Sequence, residues 1–153
     1  MSKVILDPHP REIEDIFSSS TKITLSSLHR VIEFDGEDRL SFYNENIEDT
    51  DFIIGQPDLD ASLIERSKKL KAVFNVEGNF MPNIDYAACH LKGIRVLTPS
   101  SVFAVPVAEL AIGMMISLAR GIHTAHGDFL NGKELYGLEG NAESELISGT
   151  EVG

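Results

Sequence analysis

Residues 72–97 read AVFNVEGNFMPNIDYAACHLKGIRVL, from Ala72 to Leu97. The apolar run Ala72-Val73-Phe74 gives way to a polar loop, Asn75 to Asn79, and then to Asn83-Ile84-Asp85, where Asn83 or Asp85 can cap a helix. The helix predicted over Asp85–Leu91 ends at Gly93, the residue type that most readily closes a helix, and Ile94-Arg95-Val96-Leu97 is a second apolar run. Strand, loop, helix and strand within one short stretch make a β-α-β unit, whose crossover connection sets its two strands parallel.

The same rhythm repeats toward the amino terminus. Phe52-Ile53-Ile54 is a strand closed by Gly55 and Pro57; Asp60 can then cap a helix carrying Leu63, Ile64 and Leu70. Lys68 and Lys69 are expected in its last turn, where the helix dipole favours cations. Val31-Ile32-Glu33-Phe34 is a strand ended by the turn-prone Asp35-Gly36. Val4-Ile5-Leu6 is another, stopped by Asp7-Pro8, with Pro10 at an expected helix start and Ile13, Ile16 and Phe17 on one face. The Ser- and Thr-rich stretch Ile23–Arg30 fits helix or loop equally. Five short apolar strands alternating with helices predict an α/β domain, a parallel sheet covered on both faces.

Beyond Thr98 the character changes. From Val107 to Ile122 nearly every residue is apolar, and Pro106 suits a first helical turn, so one helix is predicted from Pro106 to His126. Its length would be about 31 Å at 1.5 Å per residue. Glu109, Gly113 and Ser117 form a narrow polar stripe, whereas Leu110, Ala111, Met114, Met115, Leu118 and Ile122 make one continuous apolar face. Such a helix is expected to be buried on more than one side, and self-association through residues 106–126, as a homodimer, follows as an expectation. Residues 127–153 hold six glycines and six acids against one lysine and read as an acidic linker with a short helical turn near Glu143–Ile147. The expected organisation is therefore a domain over 1–100, a long helix over 101–126 and a linker over 127–153.

Composition narrows the class. The chain has 153 residues, 42% of them hydrophobic and 24% charged, which excludes wholesale disorder and fits one domain with an appended arm. A net charge of −11 disfavours binding to nucleic-acid phosphates. The single cysteine, Cys89, permits no internal disulfide, so a reducing cytoplasm is the expected location. The uncharged stretch Leu110–Ala119 is far short of the ~20 residues of a membrane span, and no signal peptide is read, so no membrane partner is expected. Residues 1–60 carry 14 acids against 5 bases, residues 61–124 carry 4 against 7, and residues 125–153 carry 6 against 1. A small anionic ligand would meet the least hostile field in the middle third.

Loops after the carboxyl ends of parallel strands bind ligands in such folds. The loop after Ala72-Val73-Phe74 is the leading candidate: Gly78 permits close backbone approach, and consecutive N–H groups of Val76, Glu77, Gly78 and Asn79 can form a concave anion site. An ordinary strand-to-helix turn would explain the same residues. Thr98-Pro99-Ser100-Ser101 with Ala104 to Pro106 forms a second loop, facing a cofactor or merely capping the next helix. His123 and His126 share a helix face without a third ligand, so no metal site is expected. Cys89 reads as buried rather than nucleophilic. No GxGxxG, Walker loop, GxSxG or CxxC is present.

From Ala72 to Arg120 the chain resembles the D-isomer-specific 2-hydroxyacid dehydrogenases. The matching pieces are Asn83-Ile84-Asp85 with Ala87-Ala88 and Gly93-Ile94-Arg95-Val96, the Thr98-Pro99 pair, and Ala104-Val105-Pro106-Val107-Ala108-Glu109-Leu110-Ala111-Ile112 running on to Leu118-Ala119-Arg120. Leu146-Ile147-Ser148-Gly149 to Val152-Gly153 is similar to the lead-in to that family's dinucleotide-binding strand. The resemblance implies a flavodoxin-like domain followed by an interdomain helix that lies in a subunit interface. It implies hydride transfer between NAD or NADP and a 2-hydroxy or 2-oxo acid, substrate carboxylate binding by Val76, Glu77, Gly78 and Asn79, and a cofactor contact at Ala104. The family's first loop, GxGxDN, is not reproduced: the segment Val76 to Asn83 is one residue longer, and Glu77 puts a negative charge beside the expected anion. The family's catalytic Arg, Glu and His and its cofactor fingerprint would follow Gly153. The chain is thus expected to be an amino-terminal portion, with no catalytic residue of its own, inactive and unable to bind the cofactor alone. A non-catalytic interaction or regulatory module of the same fold is the alternative expectation.

Overall fold

The structure, a computed structural model, describes residues 1–151. The expected lead-in to a further strand at Val152-Gly153 lies outside the described residues. Two compact units divide the chain, Met1–Ser100 and Ser101–Gly153.

Five parallel strands, β1 (Lys3–Asp7), β2 (Arg30–Glu33), β3 (Phe52–Gly55), β4 (Ala72–Asn75) and β5 (Arg95–Leu97), build the first unit in the order β2-β1-β3-β4-β5. This is the flavodoxin-like order. After β2 the chain reverses its direction of travel across the sheet. Right-handed crossovers then place α1 (Ile13–Ile16) and α2 (Ser19–Leu28) on one face and α3 (Arg39–Asn46), α4 (Ala61–Arg66) and α5 (Tyr86–Leu91) on the other.

Register shows which residues share each face. Ile5, Ile53, Val73 and Val96 align across four strands and meet Tyr43, Ile47, Leu63, Ile64, Ile84 and Cys89 in the main core. The opposite face carries Val4 and Leu6, both buried, but it lies open toward the β5 edge, where Phe74 is 39% and Leu97 44% exposed. One face is therefore covered throughout and the other only in part.

Several expectations shift. The first helix begins at Ile13 rather than Pro10, because Arg11 N–H donates to the Pro8 carbonyl at 3.0 Å and closes a turn there, and the Asp15 carboxylate takes the Glu12 N–H at 3.1 Å. The ambiguous Ser/Thr stretch is helical as α2, capped by Ser18, which accepts from Thr21 N–H at 3.2 Å. The helix α3 was not legible as one; Asp38 caps it, and it buries only Tyr43. The helix α4 ends at Arg66, so Lys68, Lys69 and Leu70 lie beyond it. Its end is set from a distance: the Lys92 ammonium donates to the carbonyls of Ile64 and Glu65 at 2.7 Å and of Ser67 at 3.1 Å. Cap and terminator of α5 are Asp85 and Gly93, the latter with φ +72°.

In the second unit the long helix is two. Helix α6 spans Ser100–Ala119 (beginning on the last residue of the first unit), with Pro106 inside it rather than in its first turn. The missing proline N–H leaves the Val102 carbonyl without its usual donor, and the flanking apolar residues continue the helix regardless. Gly121, at φ +61°, ends the run, and α7 (Ile122–Leu130) follows. Ser144 Oγ and Glu145 N–H return to the Arg120 and Ala119 carbonyls at 3.4 and 2.7 Å, closing the carboxyl end of α6. The expected turn near Glu143–Ile147 is absent from the described residues, and α8 (Gly137–Gly140) occurs instead. None of residues 101–151 is buried. With Glu109 as its one charge, the 20-residue α6 is long and apolar enough to cross a membrane by length and composition, which the uncharged stretch from Leu110 alone did not suggest.

Candidate functional site at the carboxyl edge of the sheet

Four loops meet at the carboxyl ends of β1, β3, β4 and β5, and hydrogen bonds tie them together. Asp7, the last residue of β1, is fully buried, an arrangement that costs free energy unless the carboxylate is partnered. Tyr43 Oη donates to its Oδ2 at 2.9 Å, and Arg39 Nη2 to its Oδ1 at 3.0 Å. The same guanidinium reaches Asp58 Oδ2 at 3.0 Å and the His9 carbonyl at 3.3 Å. Burial raises the Asp7 pKa above the ordinary carboxyl value, against the opposing pull of Tyr43 and Arg39. The Tyr43 hydroxyl is pushed well up, first by burial and then by the Asp7 charge.

Asp7, Gly55 and Asn75 stand in one cross-strand row. Gly55 is there because nothing larger fits: a Cβ would lie 1.8 Å from the Asp7 carbonyl oxygen. Asn75 is buried, and its side-chain amide lies against the Tyr86 hydroxyl. Beside it the Tyr86 hydroxyl donates to the Met81 carbonyl; its pKa is raised by burial.

The predicted anion loop follows directly. Val76 is buried, Glu77 and Gly78 are half-buried and Asn79 is exposed. Ser100 Oγ donates to the Gly78 carbonyl at 2.9 Å and is itself 2.8 Å from Thr98 Oγ1. Glu77 does not stand alone as a negative charge. Arg11 Nε, from the loop after β1, donates to its Oε1 at 2.6 Å and holds the Glu77 carboxyl below its usual range. Asn83 serves this edge by donating to the Pro57 carbonyl, which leaves the helix cap to Asp85.

Val76, Glu77, Gly78 and Asn79 thus lie on one loop, whereas Ala104 lies within α6 of the second unit and is exposed. Ala104, expected in a loop, is thus helical. Arg11, Arg39 and Tyr43 carry no local signal in the sequence, because their partners lie 66, 32 and 36 residues away. The one signal available was the acid Asp7 ending an otherwise apolar run.

A parallel α/β sheet in this strand order, with loops gathered outside its carboxyl ends, defines an α/β domain of flavodoxin-like order. No protein-family profile matches the chain. It is 40% identical over 73 residues to a hydroxypyruvate reductase of Thermotoga maritima, which covers 48% of this chain and 24% of that one. Among solved structures, a phosphoglycerate oxidoreductase from Rhizobium etli is 38% identical with a TM-score of 0.70, over 99% of this chain and 47% of its own. An NAD+-bound 3-phosphoglycerate dehydrogenase from Entamoeba histolytica is 26% identical with a TM-score of 0.52, over 78% of this chain and 39% of its own. The chain is a relative of the D-2-hydroxyacid dehydrogenases, as its motifs between Ala72 and Arg120 indicated. It spans about half the length, or less, of these relatives.

Proposed function

We propose that the first unit is the substrate-binding domain of an oxidoreductase that moves a hydride between NAD or NADP and a 2-hydroxy or 2-oxo acid. The observation that carries the reading is the loop Val76–Asn79: it leaves the carboxyl end of β4, a strand paired on both sides, within a match to the Rhizobium etli enzyme that runs nearly the whole chain. Its backbone N–H groups bind the substrate carboxylate in this reading. The NAD+ bound to the Entamoeba histolytica relative supports the cofactor class.

The described residues do not suit a dinucleotide pyrophosphate. The junctions after β1 and β3 carry Pro8, Pro10 and Pro57, which have no N–H to donate to a phosphate. In this reading the nucleotide is held by a part of the enzyme outside residues 1–151, with Ala104 touching it, and this chain binds the organic acid. Titration of the 15N-labelled chain with D-glycerate is expected to shift the amide signals of Val76–Asn79, and Gly78→Val is expected to weaken binding about tenfold with little change in melting temperature. Unmoved loop amides at saturating D-glycerate would sink the reading.

Self-association through residues 106–126 is part of the same proposal. Support comes from the second unit itself, in which Leu110, Met114 and Leu118 have no buried setting. Sedimentation at tens of micromolar is expected to give a dimer that Met114→Lys converts to monomer. A monomeric parent would overturn this part alone.

A further inference from the structure

The Arg11–Glu77 pair bridges the loops after β1 and β4, two strands that β3 separates. Only one donor of the guanidinium is spent in this pair. Nε holds Glu77, and among the described residues neither terminal nitrogen of Arg11 makes a hydrogen bond, while 41% of the side chain is exposed. A guanidinium pinned along one edge, with both terminal amino groups free, is a preset fork for the paired oxygens of a carboxylate or phosphate. Fixing Nε also removes part of the side-chain entropy that an anion would otherwise have to freeze.

Charge makes the arrangement specific. Arg39, the other arginine on this edge, is already shared among Asp7, Asp58 and the His9 carbonyl. Glu77 alone would repel an anion from the loop; paired with Arg11 it becomes a neutral anchor whose outer side is cationic. The Arg11 backbone is held as well, by its N–H bond to the Pro8 carbonyl at 3.0 Å. Both the fork and the loop N–H groups therefore stand on fixed supports, with the Glu77 side chain as the link between them.

We infer that Arg11 binds a second anionic group of the substrate, at the end away from the carboxylate held by Val76–Asn79, and that Glu77 is the positioning residue for Arg11. The substrate class narrows from any 2-hydroxy acid to one bearing a further carboxylate or phosphate. This inference rests on the proposed function above.

The test compares acids that differ only in the second group, D-lactate with D-malate and D-glycerate with its 3-phosphate, by calorimetry and by amide shifts in the 15N-labelled chain. The parent is expected to bind at least one doubly anionic acid about tenfold more tightly than its singly anionic counterpart. Which of the two pairs shows the preference tells carboxylate from phosphate. In the double variant Arg11→Gln/Glu77→Gln, which keeps the net charge of the pair at zero, that preference is expected to vanish: each doubly anionic acid binds no more tightly than its singly anionic counterpart, whatever the absolute affinity of the two. Arg11→Gln alone leaves Glu77 uncompensated and is expected to weaken all four acids. Equal parental affinity for both members of each pair overturns the inference and leaves the proposed function standing, as does a preference that survives in the double variant. No binding of D-lactate or D-glycerate to the parent overturns both.

Discussion

Gly55→Ala is expected to unfold the first unit, with a loss above roughly 4 kcal/mol. The added Cβ would lie 1.8 Å from the Asp7 carbonyl oxygen and 2.3 Å from its carbon, both backbone atoms. Neither strand can yield, because β1 and β3 are adjacent in the sheet and the Gln56 N–H donates to that same oxygen at 2.8 Å. The backbone conformation at φ +152° adds to the cost. Gly36→Ala provides the contrast: φ is +91° there, but a Cβ would meet nothing within 4 Å. Its expected cost is about 1 kcal/mol, from conformation alone. Thermal melts by circular dichroism measure both. A Gly55→Ala melt within a few degrees of the parent would refute the packing argument.

Arg39→Leu is expected to cost about 3 kcal/mol at neutral pH, because it strands the Asp7 carboxylate in the core with only the Tyr43 hydroxyl. The sign of the pH dependence identifies the cause. Asp7 has a folded pKa above its unfolded value, so the folded state binds its proton more tightly. Its contribution is greatest at low pH and is lost as pH rises from the ordinary carboxyl range through the raised folded value. Removing the Arg39 charge raises that value further and widens the window. The deficit of Arg39→Leu should therefore shrink as pH falls through the raised Asp7 value. Over that window the depressed carboxyls Asp38, Glu48, Asp49, Asp51, Asp60 and Glu77 remain ionised; their stabilising contributions disappear only as pH falls through their lowered values. Denaturant unfolding at several pH values, with Asp7→Asn/Arg39→Leu completing the cycle, provides the check. A deficit independent of pH would mean that Arg39 acts through its place over the Phe34 ring, 5.3 Å from the ring centre, rather than through the Asp7 charge.

What was legible in the sequence was what short-range chemistry writes. Each strand showed as a few consecutive apolar residues because both faces of a parallel sheet want them, and Asp60, Asp85 and Gly93 showed because caps and terminators act within a turn. Helix α3 did not show. Its sequence, Arg39 to Asn46, is mostly polar, and the burial that secures it comes from one side chain, Tyr43, bonded to a strand formed 36 residues earlier. The end of α4 was misplaced for a similar reason: Lys92, which closes it, lies beyond the next strand and helix. Pro106 misled because a local preference for the first turn yielded to a long apolar run on both sides. The candidate loop was legible as a loop, since Gly78 and a backbone anion site depend on neighbours in the chain. The neutralisation of Glu77 was not, because Arg11 joins it only through the parallel order of the strands.

The uneven cover of the sheet implies a gradient of hydrogen exchange across the molecule. Strand β1 is flanked by strands on both sides, and Val4, Ile5 and Leu6 are all buried, so its amides can exchange only when the whole unit opens. Strand β5 has a free edge and exposes Arg95 and Leu97, so its amides can reach solvent through local opening. Between these extremes stands β4. The loop that follows it is tied on one side to the slowest-exchanging strand, through Arg11, and on the other to the end of the fastest, through Ser100. Ligand held there would draw the pliant edge into the same cooperative unit as the rigid centre, and slower deuterium uptake in β5 would record it.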